Sequence, residues 1–262
     1  YPENNTWVTT SSINFDWTDS FDMDNDTIYY EIVVDNTTGT QNPSTDGLVL
    51  YLKFDNDTSV DESYSSPSTG DTIYDYSGLG NNGTTYGNIT YNATGGKFGG
   101  AFEFDGVDDY VDCGDKADFQ FGTSDFTLEF WFYFNGDAID SMLLGKRNKN
   151  DPYNQYAFAI DNGNPYTSGT GRRLRAFIRP DTGSTSHDWD RSVVTPSDLT
   201  AGWHHAVMVE DYDTKLYLYL DGELVGTNAN SHGGYTINIS GYPLEIGRAG
   251  SLPFSGTIDE VR

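Results

Sequence analysis

Between Phe104 and Asp115 the chain reads FDGVDDYVDCGD, five aspartates around the only cysteine. Three chemistries use such a cluster: oxygen ligation of a hard cation, paired-carboxylate catalysis, and thiol nucleophilicity. A lone Cys113 has no partner for an intramolecular disulfide and builds no thiolate metal site, so it reads as a small buried residue. Retaining glycoside hydrolysis needs two carboxyls about 5 Å apart. No strand-like stretch carries alternating acids of the E-x-D-x-x-E or E-x-D-x-E kind, and FTLEFWFYF holds Glu129 alone. A G-x-S-x-G, an H-E-x-x-H and a Gly-rich phosphate loop are also missing from the sequence, so the chain is expected to be no enzyme. His204 and His205 are adjacent, and adjacent strand residues face opposite ways, so the pair reads as structural rather than as a zinc motif.

Calcium is the cofactor to expect, because hard cations take carboxylate and carbonyl oxygens. Asp22, Asp24 and Asp26 of DMDNDT have the spacing of an EF-hand start. Thr27 replaces its glycine and Val33 stands where the bidentate glutamate belongs, which leaves a turn or a weak site. For sugars, aromatic faces and a few polar groups are needed on loops. Tyr153, Arg172, Arg173, His187 and Trp189 are the candidates. Lys146, Arg147, Lys149, Arg172, Arg173 and Arg175 concentrate positive charge suited to an anionic glycan or to the acidic face of a neighbouring copy.

The surrounding composition limits the partners. With 40 Asp and Glu against 14 Lys and Arg the formal charge is -26, which repels nucleic acid and anionic membranes. No run approaches the ~20 apolar residues of a membrane helix. The chain opens on Tyr1 without a signal-like segment and reads as a mature or excised piece. Sequons at Asn4, Asn25, Asn36, Asn56, Asn82, Asn88, Asn92 and Asn238, in an Asn/Thr/Ser-rich chain, predict an extracellular or cell-surface glycoprotein.

The elements that must position these residues are strands. Residues 125–135 alternate, with Phe126, Leu128, Phe130, Phe132 and Phe134 on a dry face and Thr127, Glu129, Trp131 and Tyr133 on the other. The same period of two recurs over 154–161, 173–179, 203–211, 214–222 and 257–262. Asp221-Gly222 marks a tight hairpin. This predicts an all-β, two-sheet antiparallel β-sandwich of the jelly-roll kind. Residues 39–46 form a polar linker, and 57–97 a long Ser/Thr/Asn/Gly-rich stretch.

In order, GLVLYLKFD (47–55), DYSGLGNNGT (75–84), GKFGGAFEFDGVDDYVD (96–112), FTLEFWFYFN (126–135), LLGKRN (143–148), GWHHAVMVED (202–211), LYLYLDGELVG (216–226) and PLEIGR with FSGTIDEVR (243–262) resemble the laminin-G-like domains of the concanavalin A-like lectin/glucanase fold. The resemblance covers 47–262. It implies a calcium ion near the first and last strands, placing Asp259 near Asp75 and Asn82 with Asp105 as a further ligand. The other aspartates of 104–115 become solvated charge, and Phe104, Val107 and Val111 supply packing. Residues 1–38 resemble the first half of a fibronectin type III or immunoglobulin-like domain, a short N-terminal β segment around Trp17. Its open edge would invite completion by a strand from another chain. The function expected first is therefore an adhesion or assembly module of a surface protein or filament. A carbohydrate-binding, lectin-like module of a larger secreted enzyme or adhesin comes second, and a glycoside hydrolase third. The expected partners are glycans or neighbouring copies of the same protein.

Overall fold

A computed structural model describes residues 47–137, 140–147, 155–161, 171–180, 190–237 and 241–262, all within one compact unit, Gly47–Arg262. The segment 1–38, the linker, Asp22, Asp24 and Asp26, and the ligand candidates Tyr153, His187 and Trp189 lie outside the described residues. So do sequons Asn4, Asn25, Asn36 and Asn238.

The chain runs through β1 (Thr72–Ile73), β2 (Gly83–Tyr86), β3 (Thr90–Asn92), β4 (Ala101–Asp105), β5 (Tyr110–Asp112) and β6 (Phe126–Phe134). It continues with β7 (Ser141–Arg147), β8 (Gln155–Asp161), β9 (Arg173–Arg179), β10 (Arg191–Val194), β11 (Gly202–Asp211) and β12 (Lys215–Leu220). Then come β13 (Glu223–Asn228), β14 (Leu244–Ile246), β15 (Arg248–Ala249), β16 (Leu252–Pro253) and β17 (Ser255–Asp259). Among the described residues two large antiparallel sheets result, with β15–β16 a separate two-stranded hairpin. One has eight strands in the order β1-β2-β5-β14-β7-β8-β9-β10, the other seven in the order β13-β12-β11-β6-β17-β4-β3.

The alternation read in the sequence aims each strand. In β6, Phe126, Leu128, Phe130, Phe132 and Phe134 are all buried, and Phe130 meets Phe158 of β8 edge to face with centroids 5.0 Å apart, joining the sheets across the core. Trp131 departs from the pattern. It sits on the opposite face yet is only 6% exposed, because Phe98, the Lys97 ammonium and His205 cover its ring. The β12–β13 turn has Asp221 at φ 53° and Gly222 at φ 82°, the two positive angles that the Asp-Gly pair predicts.

At the sheet edge Arg191 of β10 bonds Glu210 Oε1 of β11 at 2.5 Å and the carbonyls of Asp211, Tyr212 and Asn230. His232 Nε2 lies 2.7 Å from the same Glu210 oxygen. This buried network ties the two sheets together where the apolar core ends.

Two packing expectations fail. Val107 is 73% exposed, since it sits at the tip of the β4–β5 turn, and only Phe104 and Val111 pack. Asp109, expected in solvent, is 2% exposed and accepts the Asn88 and Asp105 N–H groups at 2.8 and 2.9 Å. It organises the turn rather than decorating it.

Candidate functional site

The outer face of the eight-stranded sheet carries a row of guanidiniums and an aromatic stack. Strand register fixes it: Arg147 is opposite Gln155, and Gln155 opposite Arg179, so one row crosses β7, β8 and β9. Arg175, Phe177 and Arg179 alternate along β9 onto that same face. Arg175 bonds Asp161 at 2.5 Å and lies over the Phe177 ring at 4.0 Å. Arg179 bonds Asp190 at 2.9 Å. Arg147 differs: its Nη1 is 3.9 Å from Met142 Sδ, and its Nε is buried without a partner. Burial, then the Arg179 and Arg175 charges, push the Arg147 guanidinium below its ordinary value.

Across the middle of the face lies the β15–β16 hairpin. Ala249 and Leu252 pack with Met142, Ala157, Ala159 and Phe177 into a small second core. Beyond it stands an aromatic ledge. Tyr86 of β2 and Tyr110 of β5 are cross-strand partners whose rings stack at 4.8 Å and 8°. The Arg248 guanidinium caps Tyr110 at 3.2 Å from the ring centroid. Tyr86, at the outer end of this stack, is 41% exposed. Arg248 is held by Glu245 Oε1 at 2.9 and 2.6 Å, and Glu245 Oε2 accepts the Gly250 N–H at 2.8 Å. Glu245 also faces Asp112 across the β14–β5 ladder, a carboxylate pair that no single-strand pattern shows. Both oxygens of Glu245 accept hydrogen bonds, Oε1 from Arg248 and Oε2 from the Gly250 N–H, which fixes the carboxylate plane beside the ring stack.

The residues expected to hold calcium fall into three groups. Asp75 and Asn82 do meet, with the Asp75 N–H bonding Asn82 Oδ1 at 2.9 Å. The Asp75 carboxylate is filled by N–H donors of Tyr51, Ser77 and Asn81 and by the Ser77 hydroxyl. Asp105 instead gathers with Asp108 and Asp109, their oxygens within 4.8 Å of one another.

Asp259, at the end of β17, is fully buried against the loop Gly96–Gly100. Its Oδ2 accepts the Phe98 N–H at 3.0 Å, and its Oδ1 is buried without a partner. Asp55 closes the other side, accepting the Gly100 N–H at 3.0 Å. Glycine is required where the loop wraps these oxygens. A Cβ on Gly99 would sit 2.3 Å from Asp55 Oδ1, and one on Gly96 2.9 Å from Asp259 Oδ2 and 2.2 Å from the Gly100 carbonyl. Burial, and the Glu260 and Asp55 charges against the Phe98 hydrogen bond, raise the Asp259 carboxyl to about 7. A buried orphan oxygen among carboxylates and carbonyls fits a hard divalent cation. The sequence motif IDEVR signals Asp259; Asp55, in LKFD, carries no comparable signal until the loop closes on it.

The other expected residues have local roles. Lys146 points inward to Asp115 and the Tyr242 carbonyl. Arg173 makes a long 3.7 Å contact to Asp198, and the Arg172 N–H also bonds Asp198, so neither joins the Arg147 row through an ion pair. His204 bonds Asp221 and the Thr200 carbonyl, while His205 stacks on Trp131, and the two point to different neighbours. Cys113 is buried, and burial drives its thiol far up. Asn88 is exposed, Asn56 and Asn82 half-buried, and the Asn92 amide donates to Glu103 at 2.7 Å.

The chain belongs to the concanavalin A-like lectin/glucanases superfamily, whose laminin-G-type family model matches residues 105–262. That match does not reach 1–38, and nothing in it extends to a fibronectin-type segment. No curated protein matches the chain.

Among solved structures, the binding domain of Paraclostridial Mosquitocidal Protein 1 superposes with a TM-score of 0.56 at 16% identity, over 82% of this chain and 48% of that one. Domain 4 of AbnA, a GH43 extracellular arabinanase from Geobacillus stearothermophilus in complex with arabinotriose, gives 0.54 at 16%, over 81% and 89%. The ligand-binding domain of botulinum neurotoxin serotype D in complex with N-acetylneuraminic acid gives 0.56 at 12%, over 83% and 47%. The chain thus spans about half the length of the toxin domains, and at these identities the likeness shows the fold.

Proposed function

We propose that this domain is a non-catalytic carbohydrate-binding module of a secreted or surface-displayed protein, presenting the Tyr86–Tyr110 end of the outer face of its eight-stranded sheet to a glycan. The observation that carries the reading is the Arg248–Tyr110–Tyr86 stack, an aromatic ledge with its outermost ring 41% exposed. Sugar C–H faces pack on such rings, and the nearby guanidinium and carboxylates supply the few directed hydrogen bonds that fix hydroxyls. The arabinotriose and N-acetylneuraminic acid held by two proteins of the same fold support the choice of ligand class. Adhesion or assembly through strand complementation rests on residues 1–38, outside the described residues, and the described sheets add no observation in its favour.

Calcium belongs to the same proposal as a structural ion, held by Asp259 and Asp55 inside the Gly96–Gly100 loop. It would tie the last strand to the start of the domain. A glycan array followed by calorimetry tests the main reading. A neutral oligosaccharide such as arabinotriose is expected to bind, with Tyr86→Ala weakening it at least fivefold, about 1 kcal/mol, at an unchanged melting temperature. An array without a single binder would remove the reading.

A further inference from the structure

The row on β7–β9 holds three guanidiniums, those of Arg147, Arg175 and Arg179, and among the described residues two carboxylates answer them, Asp161 and Asp190. Of the three, Arg147 has no carboxylate partner among the described residues. Its Nε is buried with no acceptor, and the one hydrogen bond its guanidinium makes among the described residues is to the thioether of Met142 at 3.9 Å. A half-buried cation next to two others is electrostatically unfavourable unless an anion joins them. The molecule as a whole, at a net charge of -26, would otherwise repel that anion, so attraction depends on this local arrangement. Guanidinium is planar and bonds a carboxylate in bidentate fashion, and Phe177 beneath Arg175 and Arg179 fixes the orientation of those two forks.

We propose that the half-buried Arg147, backed by the buried and ion-paired Arg175 and Arg179, is a subsite for the carboxylate of an acidic sugar residue, a uronic or sialic-type acid. This rests on the glycan-binding reading and deepens it: the Tyr86 ledge would hold neutral sugar units and the Arg147 row would select the acidic one.

The test compares matched pairs of probes on the intact chain by calorimetry: trigalacturonate with its neutral counterpart galactotriose, and 3′-sialyllactose with lactose. At least one acidic probe is expected to bind tenfold or more tightly than its neutral partner, and the acidic arm that gains tells uronic from sialic chemistry. Arg147→Gln should erase that preference while leaving any Tyr86-dependent neutral binding intact, Arg147→Lys should restore part of it, and added salt should weaken the acidic probe alone. Melting curves of both variants check that the fold persists. Neutral binding lost in Tyr86→Ala, without an acidic preference in the parent chain, overturns the subsite and spares the module. Failure of all four probes counts against both. An acidic preference unchanged in Arg147→Gln, or Arg147-dependent self-association in place of sugar binding, also overturns the subsite.

Discussion

Asp259 is the residue whose environment most constrains its role. Its carboxyl sits near neutrality because burial and two neighbouring acids oppose its charge, and a cation would reverse that balance. Calcium should therefore raise the melting temperature of the parent chain by several degrees over chelator, and leave Asp259→Asn unmoved. Without calcium, at alkaline pH, Asp259→Asn should be at least as stable as the parent, since the amide removes a buried charge. Equal melting temperatures for the parent in calcium and in chelator would contradict the site.

His204 gives a pH prediction. Burial lowers its value, but the hydrogen bond and charge of Asp221 and the Thr200 carbonyl outweigh burial, and the net direction is upward. A His raised in the folded state contributes fully below its unfolded value of about 6.5, and that contribution disappears as pH rises through the folded value. Because Asp221 is partly exposed, the effect is about 1 kcal/mol or less. Denaturant titrations should show the stability gap between the parent and Asp221→Asn narrowing as pH is raised from about 6 to about 9. A gap that is flat or widens would reject the assignment.

At the scale of elements, the β10 edge depends on a few polar contacts that the apolar pattern does not announce. Glu210 of β11 is fully buried between Arg191 of β10 and His232. Removing it strands a guanidinium, so Glu210→Ala should lose about 3–5 kcal/mol in chemical denaturation. That is comparable to Phe130→Ala at the sheet interface, about 3–5 kcal/mol. The turn between β14 and β15 is equally strict. Gly247 has φ +83°, and a Cβ there would lie 2.2 Å from the Phe104 ring. Gly247→Ala should therefore destabilise the domain and shift the β15–β16 hairpin, which a lost acidic-sugar preference would report.

For the whole molecule, the charge of -26 sets the response to salt. Screening like charges over a Debye length of about 8–10 Å should raise the melting temperature between dilute buffer and near-molar sodium chloride. A melting temperature that falls over that range would mean that local ion pairs such as Arg175–Asp161 and Arg191–Glu210 outweigh net repulsion.

The sequence by itself determined the strands and their faces. Phe126, Leu128, Phe130, Phe132 and Phe134 had to share one side because a strand repeats every two residues, and the Asp221-Gly222 turn followed from the backbone angles that pair tolerates. It also marked positive charge around Arg147 and Arg175. Only the tertiary structure decided which of those charges share a face, since cross-strand register lies in no local pattern. Register sent Lys146 inward, kept Arg172 and Arg173 with Asp198, and brought in Arg179. The aromatic ledge was hidden for the same reason: Tyr86 and Tyr110 are distant in sequence and neighbours in the ladder. So was Asp55, a calcium ligand candidate only because a glycine loop from 96–100 closes it against Asp259. Long-range contacts, unlike alternation, are set by which strands pair, and that is a property of the folded whole.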